Sequence, residues 1–193
     1  MTSLFTPLTD PHFTVFALGW TMRPGHPQWA LAIQHAGRSP VVHALDGPTV
    51  SALLAYPSVL FREDHWVDPL VAFSEADPVP ASHAWAALTR LVQRHLVPGA
   101  PALLCGYEMG RLKPSLPPAA LWPCPVADLQ VLAAAWHCTP PSALTDPRVP
   151  ATTQARTLLA FWHDILQPAA PVTARLYDVI RQGAWDALSN SSG

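Results

Sequence analysis

Charge is the scarcest thing in this chain. Only 12% of its 193 residues are Asp, Glu, Lys or Arg, the net charge is −2 at neutral pH, and Lys113 is the single lysine. A protein that grips nucleic acid by neutralising phosphates needs a basic face, so this composition argues against a nucleic-acid partner. The three cysteines, Cys105, Cys124 and Cys138, include no Cys-x-x-Cys pair. That excludes a disulfide framework or zinc ribbon and leaves reduced thiols of the cytoplasmic kind. No apolar run reaches the length of a membrane span, and no basic segment followed by an apolar one opens the chain, so neither membrane nor secretion is expected. Gly-x-Ser-x-Gly and the Gly-rich phosphate loops are also missing, which removes a nucleophile elbow and a nucleotide cradle. The nine histidines contain no His-x-x-x-His spacing. His35 and His43 flank a predicted hairpin, where they could meet across strands, and Glu63-Asp64-His65 reads as a solvated turn. No metal, no cofactor and no catalytic residue is therefore expected.

Apolar residues and proline are abundant: 50% of the chain is hydrophobic, with eight tryptophans and 23 prolines. Proline interrupts helices and interior strands, so the elements must be short. Eight tryptophans carry large apolar area. An exposed share of it would make a docking face and a homodimer.

The patterning predicts an α+β fold, mostly antiparallel sheet with packed helices and a C-terminal helical segment. Strands are predicted at Phe13–Trp20, Gln28–Ala36 and Pro40–Leu45, separated by the turns Met22–Pro27 and Gly37–Pro40, a meander that favours antiparallel pairing. Asp46 can cap a short helix at Val50–Ala55. Ser58–Phe61 and Val67–Phe73 read as further strands. Ser82 is taken to open the clearest helix, with Trp85, Leu88, Val92 and Leu96 on one face and Arg90 and Arg94 near its C-terminal dipole. A buried strand follows at Ala102–Cys105, then a strand or short helix over Val126–Trp136. Residues 139–151 are rich in proline and read as a linker. They divide an α+β domain (1–138) from C-terminal helices (152–193) at Thr152–Leu166, with Leu158, Phe161, Trp162 and Ile165 on one face, and at Val172–Leu188, packed on the domain or partly mobile.

One stretch concentrates the ionisable side chains. The run Leu103-Leu104-Cys105 ends on Gly106-Tyr107-Glu108-Met109-Gly110-Arg111-Leu112-Lys113, closed by Pro114 and Pro117. Tyr107, Glu108 and Arg111 are the candidate binding residues, set against the plainer reading of a solvated turn at a strand end.

Gly106-Tyr107-Glu108-Met109-Gly110-Arg111 with Ser115-Leu116-Pro117 resembles the aminodeoxychorismate synthase component I family, a branch of the chorismate-utilising enzymes. Pro57–Phe61, Asp68–Phe73 and Trp122–Ala127 are similar to its flanking strands. The resemblance implies the accessory N-terminal half alone, because the family's magnesium-binding glutamates and Pro-Ile-Lys-Gly-Thr segment have no counterpart here. It also implies a separate catalytic chain or a glutamine amidotransferase as partner, and two antiparallel sheets with the Tyr-Glu strand central. A second resemblance covers residues 13–45 as well: three strands, a helix, a strand ending Gly106-Tyr107-Glu108 and a later Ala127-Asp128-Leu129 are similar to a ribonuclease H-like 3′–5′ exonuclease domain. That family implies a mixed sheet ordered 3-2-1-4-5 and an Asp-x-Glu on the first strand to hold two metals. Here the position reads Ala17-Leu18-Gly19, which implies an inactive domain kept for structure or for binding nucleic acid or protein.

Overall fold

The computed structural model describes residues 8, 10, 12–23, 26–55, 72–115, 122–172 and 174–182. The first strand, β1 (Thr14–Arg23), lies in the middle of a five-stranded sheet. Its two faces carry different residues: Val15 and Ala17 enter one core, Phe16 and Leu18 the other, all of them inaccessible to solvent. A strand apolar on both faces is one that layers cover on both sides. β2 (His26–His35) returns antiparallel along all of β1, from Thr14 opposite His35 to Arg23 opposite His26, and β3 (Val41–Ala44) adds the outer antiparallel edge.

On the other side of β1 run two parallel strands, β4 (Ala102–Gly106) and β5 (Val126–Asp128), giving the order β3-β2-β1-β4-β5. The fold is α+β. Its sheet is mixed, with two antiparallel and two parallel pairings, and parallel pairing needs long crossovers that the short meander predicted for the first strands does not supply. The Tyr-Glu strand, β4, is not the central one. The order is that implied by the second resemblance, and among the described residues there is no second sheet. The strands predicted at Ser58–Phe61 and Val67–Phe73 fall on residues 56–71, apart from Ala72 and Phe73, and so lie outside the described residues.

Helices cover both faces. On one, α1 (Gly47–Leu54) and α2 (Ala81–His95) pack with Phe16, Leu18, Leu31 and Leu104. The Asp46 carboxylate caps α1 by accepting from the Thr49 N–H at 2.9 Å, a cap that contributes about 1 kcal/mol. Three tryptophans fill this layer edge to face, Trp29 on Trp85 at 5.0 Å and Trp85 on Trp122 at 5.3 Å. Trp162 is buried under the opposite face against Phe13, and Trp20 and Trp136 are half-buried, with their indole N–H groups donating to the Tyr107 carbonyl and to Gln182 Oε1. The six described tryptophans thus build the interior and the strand ends and do not form the exposed face on which a Trp-mediated homodimer was expected to rest.

α2 starts one residue before the expected Ser82, directly after Pro80, whose extended backbone ends the preceding segment. Arg90, expected near the C-terminal dipole of the helix, is 7% exposed and donates to the Leu53 carbonyl at the end of α1. It ties two helices together, since a guanidinium can satisfy a free C-terminal carbonyl.

The opposite face carries α3 (Leu129–Ala135), α4 (Ala151–Ala160) and α6 (Leu176–Gln182). Over Val126–Trp136 both readings are met, a three-residue strand leading straight into α3. α4 runs on through a π turn at Phe161–Leu166 into the short α5 (Gln167–Ala169). The wider turn shifts the buried stripe by one residue. Leu166 is fully buried where Ile165 was expected, and Ile165 is 40% exposed. The residues expected as a linker form a 3-10 turn at Ser142–Leu144 and lead to Pro150, which opens α4. Leu144 and Ala151 lie in the same core as β1, β4 and α3. Val172 is fully exposed, and the last helix begins only at Leu176.

α4 lies close against β1 at Gly19. A Cβ there would lie 2.1 Å from the Ala151 carbonyl oxygen and 2.6 Å from the Ala155 nitrogen, both backbone atoms of α4. Only a residue without a side chain lets the helix settle onto the strand at that point. No described helix is long and apolar enough to cross a membrane.

Candidate functional site

β1 outruns its parallel neighbour. The last pair between them is Leu18 with Gly106, so Gly19 to Arg23 face no strand on that side. Ligand sites in parallel sheets collect in such crevices beyond the carboxyl ends of strands. Here the space is a cavity of about 130 Å³.

Four groups of residues close it. Leu18, Trp20 and Thr21 come from β1. Tyr107, Glu108 and Arg111 come from the turn that leaves β4. Leu144, Thr145 and Pro147 come from the Pro-rich strap, and Gln154 and Leu158 from α4. The three residues singled out in the sequence therefore meet at one site. Thr21, Gln154 and the strap were missed. Strand patterning stopped at Trp20, and a strap recruited from forty residues downstream leaves no periodic signal.

The turn after β4 is held by Asp128. Its carboxylate accepts from the Met109 N–H at 2.8 Å and from the Gln130 N–H at 2.9 Å, so it anchors the β4 turn and caps α3 together. Burial pushes its carboxyl above the usual carboxylate range, with backbone N–H groups led by those of Gln130 and Met109 pulling it back. Trp20 Nε1 donates to the Tyr107 carbonyl at 3.1 Å, joining β1 to the same turn. Glu108 takes φ = 53°, the left-handed region that costs a residue with a side chain about 1 kcal/mol. That conformation turns its carboxylate onto Arg111, whose Nη1 donates at 2.7 Å, while the guanidinium lies 5.9 Å above the Trp20 ring. Arg111 is largely solvated, so this ion pair contributes little to stability. It does leave the cavity mouth with one charge of each sign, already matched.

Deeper in, Thr21 is 2% exposed and its Oγ1 has no hydrogen-bond partner among the described residues. Gln154 is 7% exposed, and its Nε2 reaches the Asp146 carbonyl only at 3.5 Å. Tyr107 is also 7% exposed. Burial first, then the charges of Glu108 and Asp128, push its phenol up, so the hydroxyl keeps its proton at neutral pH. The site offers neutral donors and acceptors between apolar walls.

No protein-family model matches the chain, and neither a curated protein nor a solved structure does.

Outside the cavity, His35 and His43 do not face each other across the strands, since His43 pairs with Leu31; each instead lies near His95, at the end of α2, whose ring centroid is 5.9 Å from that of His35 and 5.8 Å from that of His43. Thr14 Oγ1 is 3.0 Å from His35 Nδ1. Burial lowers the pKa of His43, and burial followed by His43, His35 and Arg94 lowers that of His95. Among the described residues, no group of three or more His, Cys, Asp or Glu side chains is placed to hold a metal ion. Burial pushes the Cys124 thiol up to about 12 and Cys105 higher still, so both are inert core side chains.

Proposed function

We propose that this chain is a non-catalytic binding module with the strand order of a ribonuclease H-like domain, and that the cavity beyond β1 and β4 holds a ligand where such a domain would hold its metals. The observation that carries this reading is Gly19. The resemblance puts the first-strand acids at Ala17 and Gly19. Ala17 is fully buried under α4's face of the sheet, and any side chain at Gly19 runs into the backbone of α4. The strand has neither the carboxylates nor the room for them, while a pocket with an unpaired buried hydroxyl stands beside it. The resemblance to chorismate-utilising component I implies two antiparallel sheets with the Tyr-Glu strand central, which is not the order of this sheet, and its Pro57–Phe61 stretch lies outside the described residues. A nucleic-acid ligand is disfavoured by the matched charges at the mouth and the low basic content of the chain.

The test has two arms. The purified chain, given Mg²⁺ or Mn²⁺, is expected to leave single-stranded and duplex oligonucleotides intact, and to leave chorismate unconverted. A small-molecule panel followed by thermal unfolding is expected to yield ligands that raise Tm in the native protein but not in Leu144→Trp, which fills the cavity. Metal-dependent hydrolysis, or stabilisation that survives Leu144→Trp, would overturn the reading.

A further inference from the structure

Resting on that reading of the cavity, we infer that it takes an uncharged, ring-sized molecule with an amide edge, a C=O acceptor beside an N–H donor. Size comes first. A dry protein cavity of about 150 Å³ accommodates benzene, so the 130 Å³ here suits a single ring and excludes a dinucleotide or a long chain. The walls suit its faces: Leu18, Leu144, Pro147 and Leu158 present hydrocarbon.

Charge comes second. Among the described residues, the charged side chains that line the cavity are Glu108 and Arg111, and they neutralise each other at 2.7 Å at the exposed mouth. A charged ligand would be buried opposite no free countercharge, which is expensive. Hydrogen bonding comes third and selects the edge. The Thr21 hydroxyl is shielded from water with no partner, and a buried polar group left in that state is destabilising unless something completes it. Gln154 stands across the same cavity with an amide that makes one long contact. A hydroxyl, which both donates and accepts, and a primary amide, which presents N–H and C=O side by side, together complement a group that also carries both. A ketone, an ether or a hydrocarbon ring would leave one of them unmet.

Three probes of one size and different edges test this on the full chain by ligand-observed NMR: δ-valerolactam (acceptor and donor), cyclohexanone (acceptor only) and cyclohexylammonium (charged). The lactam is expected to bind with a Kd roughly in the millimolar range, as suits so few atoms. Cyclohexanone should bind about fivefold more weakly, the worth of one net hydrogen bond, and cyclohexylammonium should not bind. Thr21→Val is expected to weaken the lactam by about the same factor while the protein stays folded. Equal binding of lactam and ketone, tighter binding of the ammonium, or an unchanged lactam Kd in Thr21→Val would overturn the amide edge while leaving the cavity a ligand site. Failure of all three probes to bind would remove the cavity as a ligand site, and the proposed function with it.

Discussion

Thr21→Val is the sharpest test of the site, because ordinary packing logic and the reasoning above predict opposite signs. The two side chains have nearly the same shape, and Thr21 is 2% exposed. In most buried settings the hydroxyl is bonded, and its loss costs stability. Here Oγ1 has no partner. The folded protein therefore carries the desolvation of a hydroxyl without its compensation, a burden of about 1–3 kcal/mol that valine removes. For a chain of this length about 1 kcal/mol moves Tm by roughly 2–4 °C. In the absence of ligand, Thr21→Val should thus melt about 2–12 °C above the native protein by calorimetry. Thr21→Ser, which keeps the hydroxyl and removes a buried methyl, should melt lower than both. A stabilising substitution that weakens ligand binding is the signature of a polar group kept for function. If Thr21→Val melts at or below the native temperature, the hydroxyl is satisfied in solution, and the argument for a polar ligand loses its base.

Three other perturbations probe the frame around the site. Gly19→Ala places a Cβ against the Ala151 carbonyl and the Ala155 nitrogen of α4; overpacking against backbone should cost about 3 kcal/mol, read as a lower urea midpoint. Asp128→Ala removes an acceptor shared by Met109 N–H and Gln130 N–H, and should lower stability by about 2–3 kcal/mol in chemical denaturation; retention of the native midpoint would show that the β4 turn is held by something else. For the histidine cluster the sign follows from linkage. His43 and His95 have lowered folded pKa values, so the unfolded chain binds more protons, and the cluster's contribution is present above the ordinary histidine pKa of about 6.5 and lost as pH falls toward the folded values. The urea midpoint should therefore drop between about pH 7.5 and about pH 5.5, and His95→Gln should flatten that drop; an identical pH slope in the variant would refute the cluster's role.

The alternation of Phe13–Trp20, the turn at Gly37–Pro40, the Asp46 cap and the apolar face of Trp85–Val92 were legible from local sequence, because each rests on a periodicity, a turn residue or a cap that a short window contains; the turn expected at Met22–Pro27 was not, since Met22 and Arg23 pair with Pro27 and His26 as strand. So was the interest of Tyr107, Glu108 and Arg111, since in a chain this poor in charge an ionisable cluster at a strand end stands out. Which strand lies beside which could not be read locally. The pairing of β1 with β4 joins residues some ninety positions apart, and no window spans that distance. The phase of the last long helix was lost for a related reason. A π turn inside it exchanges Ile165 for Leu166, and tertiary packing rather than propensity selects that register.

What the sequence determined by itself was a low-charge α+β chain with a glycine, Gly19, at a position where the ribonuclease H-like resemblance calls for an acid. What the tertiary structure alone decided was the reason that position is closed, α4 lying on the strand, and the assembly of a cavity from β1, the β4 turn and a Pro-rich strap. A side chain's identity is local, but the space beside it is set by whichever distant segment packs there.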